Sequence, residues 1–140
     1  MERKHKAIFL DRDGVINKEV NYLHRAEDFT FTHNCISAIR MLREAGYKIL
    51  VVTNQAGIGR GYYTEADLNI LMGWLKSELT KNGADIDDYA FCPHHPTEAL
   101  GKYKTHCKCR KPEPGMLISL IQKQNIEAMN STMVGDKLSD

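Results

Sequence analysis

Four short apolar runs alternate with longer segments whose apolar residues recur every three or four positions. "KAIFL" (6–10) and "KILVV" (48–52) are apolar at consecutive positions, the pattern of strands buried on both faces. "DYAFC" (88–92) is a weaker strand, and "STMVGD" (131–136) a short fourth one. Between them, "NCISAIRMLREAGY" (34–47) has Ile36, Ile39, Leu42 and Ala45 at helical spacing, with Asn34 placed to cap it and Gly46 to stop it. Residues 65–82 form a longer helix behind a Thr64 cap, with Leu68, Leu71, Leu75 and Leu79 along one stripe and Gly83 closing it. A further helix is predicted over 115–125, and residues 93–113 read as a long irregular segment. Strands alternating with helices, without polar alternation inside the strands, predict an α/β fold around a parallel, doubly wound sheet in three layers.

Ligands of open parallel sheets collect outside the carboxyl ends of the strands. The first strand ends at Asp11 and Asp13, the second at Thr53 and Asn54. The third opens into a cysteine-bearing loop that leads to Arg110 and Lys111, and the fourth ends at Asp136. Like charges that close together resist desolvation unless a cation neutralises them, and Mg²⁺ takes a few carboxylates together with substrate phosphate oxygens. With phosphate present, Asp11 suits a nucleophile and Asp13, two residues on, a proton shuttle, because residues i and i+2 of an extended segment face the same side. Arg12, between them, is expected to point away. Lys111 and the Thr53 hydroxyl are placed to stabilise charge on the transferring group. A calcium-binding EF-hand loop is excluded, since its glycine belongs at position 6 and Gly14 stands at position 4. "GIGRG" (57–61) lacks the G-x-G-x-x-G spacing, so it reads as a flexible loop with Arg60 as a candidate phosphate contact.

The segment from Cys92 to Cys109 carries separate chemistry. Cys92, His94, Cys107 and Cys109 are arranged as C-x-H, twelve residues, C-x-C, a donor set that suits structural Zn²⁺. Spacing leaves His95 as an alternative to His94, and a redox role for Cys107 and Cys109 as the competing reading. Cys35, on the apolar side of a helix, is expected to pack.

Composition narrows these possibilities. At 140 residues, 42% hydrophobic and 26% charged, the chain is an ordinary globular one, expected to form a single domain over 1–140 with the zinc loop at 92–109. A net charge of only +1 gives no global attraction to nucleic acid or to acidic membranes. The local basic run Lys102, Lys104, Lys108, Arg110 and Lys111 keeps nucleic-acid binding as an alternative, as is an inactive zinc-bearing scaffold. No run is long enough to span a membrane and no signal peptide opens the chain, so a cytoplasmic location is expected.

"FLDRDGVIN", Thr53, Lys111 and "VGDKLSD" together resemble the four motifs of the haloacid dehalogenase superfamily of phosphohydrolases. "VVTNQAGIGRG", "CPHHP" and "CKCRKPEPGM" make the chain most similar to its heptose bisphosphate phosphatases, with histidinol-phosphate phosphatases as the second choice. The resemblance implies Asp11 as nucleophile and Asp13 as general acid/base, with Mg²⁺ held by Asp11, the Asp13 carbonyl and Asp136. It implies substrate contacts from Glu19, Val20, Asn21, Tyr22, Asn54, Gln55, Arg110 and Lys137, and Zn²⁺ on the four cysteine-loop donors. The implied substrate is a small phosphorylated sugar that loses its 7-phosphate. The implied protein acts without nucleic acid or membrane, as a monomer and without the large cap domain of many relatives. That family continues with a further helix and strand, so the chain is expected to lack the C-terminal part of the fold.

Overall fold

The computed structural model describes residues 4–135. Strands β1 (Ala7–Leu10), β2 (Lys48–Asn54), β3 (Asp88–Cys92) and β4 (Thr132–Val134) form one parallel sheet in the order β3-β2-β1-β4. The helices are α1 (Cys35–Glu44), α2 (Ala56–Gly59), α3 (Glu65–Lys81) and α4 (Gly115–Gln124).

The strands are apolar throughout because both faces are covered. Side chains alternate across a strand, so Ile8, Leu10, Ile49 and Val51 face one way and join a core completed by residues of α1 and α3, including Ile39, Leu68, Leu71 and Leu75. Ala7, Phe9, Leu50 and Val52 face the other way and pack with Met116 and Leu120 of α4. Three layers result, as the chain pattern predicts. The segment between Asp13 and Thr53 holds one 3₁₀ turn (Ala26–Asp28) and α1, with no inserted domain.

Helix α3 starts where its sequence says it should. The Thr64 side chain accepts from the Asp67 amide, and Asp67 accepts in return from the Thr64 amide. Helix α1 differs from expectation. Asn34 occupies the cap position but adopts a left-handed conformation, φ 63°, and its side chain makes no capping bond. The Cys35 amide donates instead to the Thr32 carbonyl. A side-chain cap needs an extended backbone at that position, and the turn anchored by the Thr32 hydroxyl on the Val15 carbonyl, 2.5 Å, imposes another geometry.

The strand order reverses direction at β1, which is where a doubly wound sheet opens its binding crevice. Asp11 follows β1 directly, and its amide continues the ladder to the Val134 carbonyl at 3.1 Å. Thr53 and Asn54 are the last residues of β2, held in register with Phe91 and Cys92.

Candidate active site and cysteine cluster

Beyond β1 the chain turns tightly. The Arg12 carbonyl accepts from the amides of Val15, Ile16 and Asn17, and Gly14 takes φ 85°, a conformation that side-chain-bearing residues rarely adopt. This turn sets the two aspartates in different surroundings. Asp11 is 7% exposed, and its Oδ1 accepts from the Arg12 amide at 2.8 Å and lies 3.4 Å from Lys111 Nζ. Both side chains of that ion pair are at least nine-tenths covered, so each charge compensates the desolvation of the other.

Asp13 is held by a larger set of donors. Its Oδ1 accepts from Arg12 Nη2 at 2.9 Å and from Asn17 Nδ2 at 3.1 Å. Its Oδ2 accepts from Gln55 Nε2 at 3.3 Å. Arg12 therefore does not point away. It is fully buried, paired with Asp13 and bonded to the Leu23 carbonyl, because the tight turn folds its side chain back beneath the rim. Gln55 also donates to Thr53 Oγ1 at 2.9 Å and accepts from the Tyr63 hydroxyl. The Lys111 amide donates to Asn54 Oδ1 at 3.0 Å, which ties the end of the cysteine loop to the end of β2.

A cavity of about 410 Å³ opens beside these groups. Asp13, Asn54, Gln55 and Lys111 line it together with Glu19, Val20, Asn21, Tyr22 and Arg110. Asp11 and Thr53 are not among its lining residues and adjoin it through Lys111 and Gln55. Asp136 and Lys137 lie outside the described residues. A larger cavity, about 760 Å³, opens at the opposite end of the sheet between Lys4, Lys6 and Tyr47. Its lining holds one carboxylate, Glu127, whereas that of the smaller cavity holds Asp13 and Glu19 and includes Lys111, the partner of Asp11.

The "GIGRG" segment is not the flexible loop expected. Residues 56–59 form helix α2, and Gly57, Ile58 and Gly59 are buried. A Cβ at Gly57 would stand 2.3 Å from the Tyr63 ring, so the close approach of helix and ring requires glycine. Arg60 does not face the cavity as a free phosphate contact. It pairs with Glu98 of the cysteine loop and lies over the Tyr22 ring at 5.8 Å.

In the loop after β3, Cys92 Sγ lies 3.4 Å from Cys107 Sγ and 3.6 Å from His94 Nδ1. Cys109 Sγ lies 3.3 Å from both His94 Nδ1 and Cys107 Sγ. A tetrahedral zinc site with bonds of about 2.3 Å has ligand–ligand edges of about 3.7 Å, so these four donors need to spread only slightly around an ion. The sulfurs are too far apart for disulfides, and all four cysteines are free thiols. Burial pushes the Cys92 thiol well above the ordinary range, a cost that a bound dication removes by taking the thiolate as ligand. His95 turns elsewhere: its Nδ1 accepts from the Thr97 and Glu98 amides. Geometry thus separates two imidazoles that spacing could not. Cys35, the first residue of α1, is buried in the core.

The family model for polynucleotide kinase 3 phosphatase matches residues 6–139. The chain is 49% identical over 137 residues to the D-glycero-alpha-D-manno-heptose-1,7-bisphosphate 7-phosphatase of Photorhabdus laumondii, covering 98% of this chain and 75% of that protein. This chain belongs to the haloacid-dehalogenase-like phosphatases, among the heptose bisphosphate phosphatases. The D-glycero-beta-D-manno-heptose-1,7-bisphosphate 7-phosphatase of Pasteurella multocida is 46% identical over 135 residues, 96% of this chain and 73% of that protein. The crystal structure of D,D-heptose 1,7-bisphosphate phosphatase from B. bronchiseptica, complexed with magnesium and phosphate, superposes with a TM-score of 0.82 at 31% identity. That match covers 96% of this chain and 72% of the other.

Three residues of this family member's site carried no signal as isolated letters. Asn17 and Arg12 are fully buried donors to Asp13, and Tyr63 is a buried donor to Gln55. Their nearness to the D-x-D turn and to Gln55 in sequence was the available clue.

Proposed function

We propose that this chain is a Mg²⁺-dependent phosphomonoester hydrolase that removes the 7-phosphate of D-glycero-D-manno-heptose 1,7-bisphosphate through an aspartyl-phosphate on Asp11. The observation that carries the reading is the Asp11–Lys111 pair, 3.4 Å apart beside a polar cavity, in a chain 49% identical to a heptose bisphosphate phosphatase.

Asp11 attacks phosphorus as the P–O bond to the sugar breaks, and Asp13 gives its proton to the departing alkoxide. Asp13 then takes a proton from the water that attacks the aspartyl-phosphate, releasing inorganic phosphate and restoring Asp11. The transition state spreads negative charge over the three non-bridging phosphoryl oxygens. Lys111 and the Thr53 hydroxyl offset that charge from fixed positions. Arg12 and Asn17 hold Asp13 by one oxygen and leave the other turned to the Gln55 side. Asp11, the Asp13 carbonyl and Asp136 would hold a Mg²⁺, which would supply positive charge against the phosphoryl oxygens.

Glu19 to Tyr22, Asn54, Gln55, Arg110 and Lys137 would contact the remainder of the substrate. Cys92, His94, Cys107 and Cys109 would hold a structural Zn²⁺ that keeps Arg110 and Lys111 in place; Arg110 Nη1 already donates to the His94 carbonyl at 3.3 Å. The enzyme would work as a cytoplasmic monomer, and no helix among the described residues is long and apolar enough to cross a membrane.

The test is phosphate release, with added Mg²⁺, from heptose 1,7-bisphosphate, histidinol phosphate and a panel of other sugar phosphates. Preference for the heptose bisphosphate is expected, and equal or better turnover of histidinol phosphate would overturn the substrate assignment. Salt-dependent binding to DNA or RNA without any phosphatase activity would favour the nucleic-acid reading instead.

A further inference from the structure

Tyr63 belongs to none of the motifs that carry the catalytic reading, yet its ring is locked against the site. It is 6% exposed and stacks on His24, with ring centroids 5.0 Å apart and planes 4° from parallel. On another side it meets the backbone of Gly57, where no Cβ would fit. Its hydroxyl donates to Gln55 Oε1.

A side-chain amide has an accepting end and a donating end, and which end faces a neighbour is decided by partners that can play only one role. Of the three partners of Gln55, the ionised Asp13 carboxylate can only accept, while the Thr53 and Tyr63 hydroxyls can do either, and the Tyr63 hydroxyl is the one that holds the accepting end. With the tyrosine proton on Oε1, Nε2 is directed at Asp13 Oδ2 and Thr53 Oγ1. Turned over, the amide would set its carbonyl oxygen against a carboxylate. Resting on the hydrolase reading above, we propose that the buried Tyr63 hydroxyl is a positioning group for phosphoryl transfer, fixing through Gln55 the orientation of Asp13 and of the Thr53 hydroxyl.

The consequence differs at the two ends. Asp13 Oδ1 is taken up by Arg12 and Asn17, so Oδ2 is the oxygen that carries the shuttled proton, and the single Gln55 contact at 3.3 Å steadies it. Thr53 Oγ1 receives a hydrogen from Gln55, and its own proton reaches only the Asn54 carbonyl at 3.5 Å, a long bond that a phosphoryl oxygen of the substrate would replace. Neither effect changes how much surface the substrate meets. Tyr63 stays a donor throughout the working range, because burial, aided by the nearby Asp13 charge and opposed by Arg12, pushes its phenol up to about 12.

The experiment is a double-mutant cycle on heptose 1,7-bisphosphate with Mg²⁺, using Tyr63→Phe, Gln55→Met and the double variant, with Tm measured for each. Phenylalanine keeps the ring, its stack on His24 and its seat on Gly57. Tyr63→Phe is expected to lower kcat about tenfold with KM within about twofold, the signature of a contact felt in the transition state. The double variant is expected to match Gln55→Met alone. A Tyr63→Phe enzyme within about twofold of wild-type kcat overturns the inference, as does an equal loss in both backgrounds, which would mark an effect not routed through Gln55. Should Gln55→Met fail to fold, Gln55→Ala takes its place, and the single Tyr63→Phe result still decides the first criterion. Wild-type protein inactive on both the heptose ester and p-nitrophenyl phosphate would overturn the hydrolase reading and this inference with it. Normal wild-type turnover with an unaffected Tyr63→Phe overturns only this inference.

Discussion

The rim at the strand ends and the loop from Cys92 to Cys109 are joined at Lys111, yet they are ordered by different physics. At the rim, charged and polar groups come from segments far apart in sequence, and each is held by a partner from another element: Asp11 by Lys111, Asp13 by Gln55, Asn54 by the Lys111 amide. Sheet and core fix those partners. In the loop, four soft donors lie within one stretch, and the segment contains little regular structure beyond the 3₁₀ turn Gly101–Tyr103 and the bridge of His95 to Lys104. A cross-link through metal is the natural source of order for such a segment. The first region is held by hydrogen bonds and ion pairs, and on the proposed reading the second would use coordination to position the first.

Changes at the rim should therefore cost turnover and spare the fold, while changes in the loop should cost metal and stability first. The largest effect is expected from Asp11→Asn, which should lower phosphate release by at least about 10³-fold through loss of the nucleophile, with the native fold retained and Tm lowered only as far as the weakened pair with Lys111 requires. Retained turnover would remove Asp11 from the chemistry. Lys111→Met should cost about 10²–10³-fold in kcat by removing a charge aimed at the transferring group, read by steady-state kinetics with zinc content followed in parallel. If zinc were lost as well, the two regions would be less separable than their contacts imply.

Cys107→Ser should abolish zinc binding, lower Tm by about 5–10 °C and reduce kcat only secondarily, as Arg110 and Lys111 lose their anchorage. Metal analysis of the purified variant checks this, and unchanged zinc would refute the ligand assignment. Removal of Mg²⁺ by a weak chelator should stop hydrolysis reversibly while zinc stays bound, since hard oxygen ligands hold their ion less firmly than thiolates. The smallest effect is expected from Thr64→Ala, which removes the cap of α3 at a cost of about 1 kcal/mol in denaturant unfolding, with zinc content unaltered.

Much of the scaffold is legible in the sequence itself. Apolar runs marked the strands because both sheet faces are covered, and the stripe Leu68, Leu71, Leu75 and Leu79 marked α3 because all four point into one core. Thr64 was readable as a cap because Asp67, three residues on, completes a purely local exchange. Asn34 was misread since its conformation is dictated by a turn bonded to Val15, nineteen residues back in the chain. Arg12 was misread for a related reason: its partners, Asp13 and the Leu23 carbonyl, meet only after the chain doubles back. Arg60 found a carboxylate, Glu98, in a loop that sequence spacing could not place beside it.

What the amino-acid sequence determined alone was the inventory: which residues can be nucleophile, shuttle, cation and thiolate, and which strand ends present them. Those are properties of side-chain type and local periodicity, and they survive without neighbours. Tertiary structure decided the pairings: that Lys111 neutralises Asp11, that Arg12 lies beneath the rim against Asp13, that His94 and not His95 faces the sulfurs, and that Tyr63 orients Gln55. Each pairing depends on distance and burial, since a charge or a hydrogen-bonding group acquires its role from what desolvates it and what lies within about 3–4 Å of it.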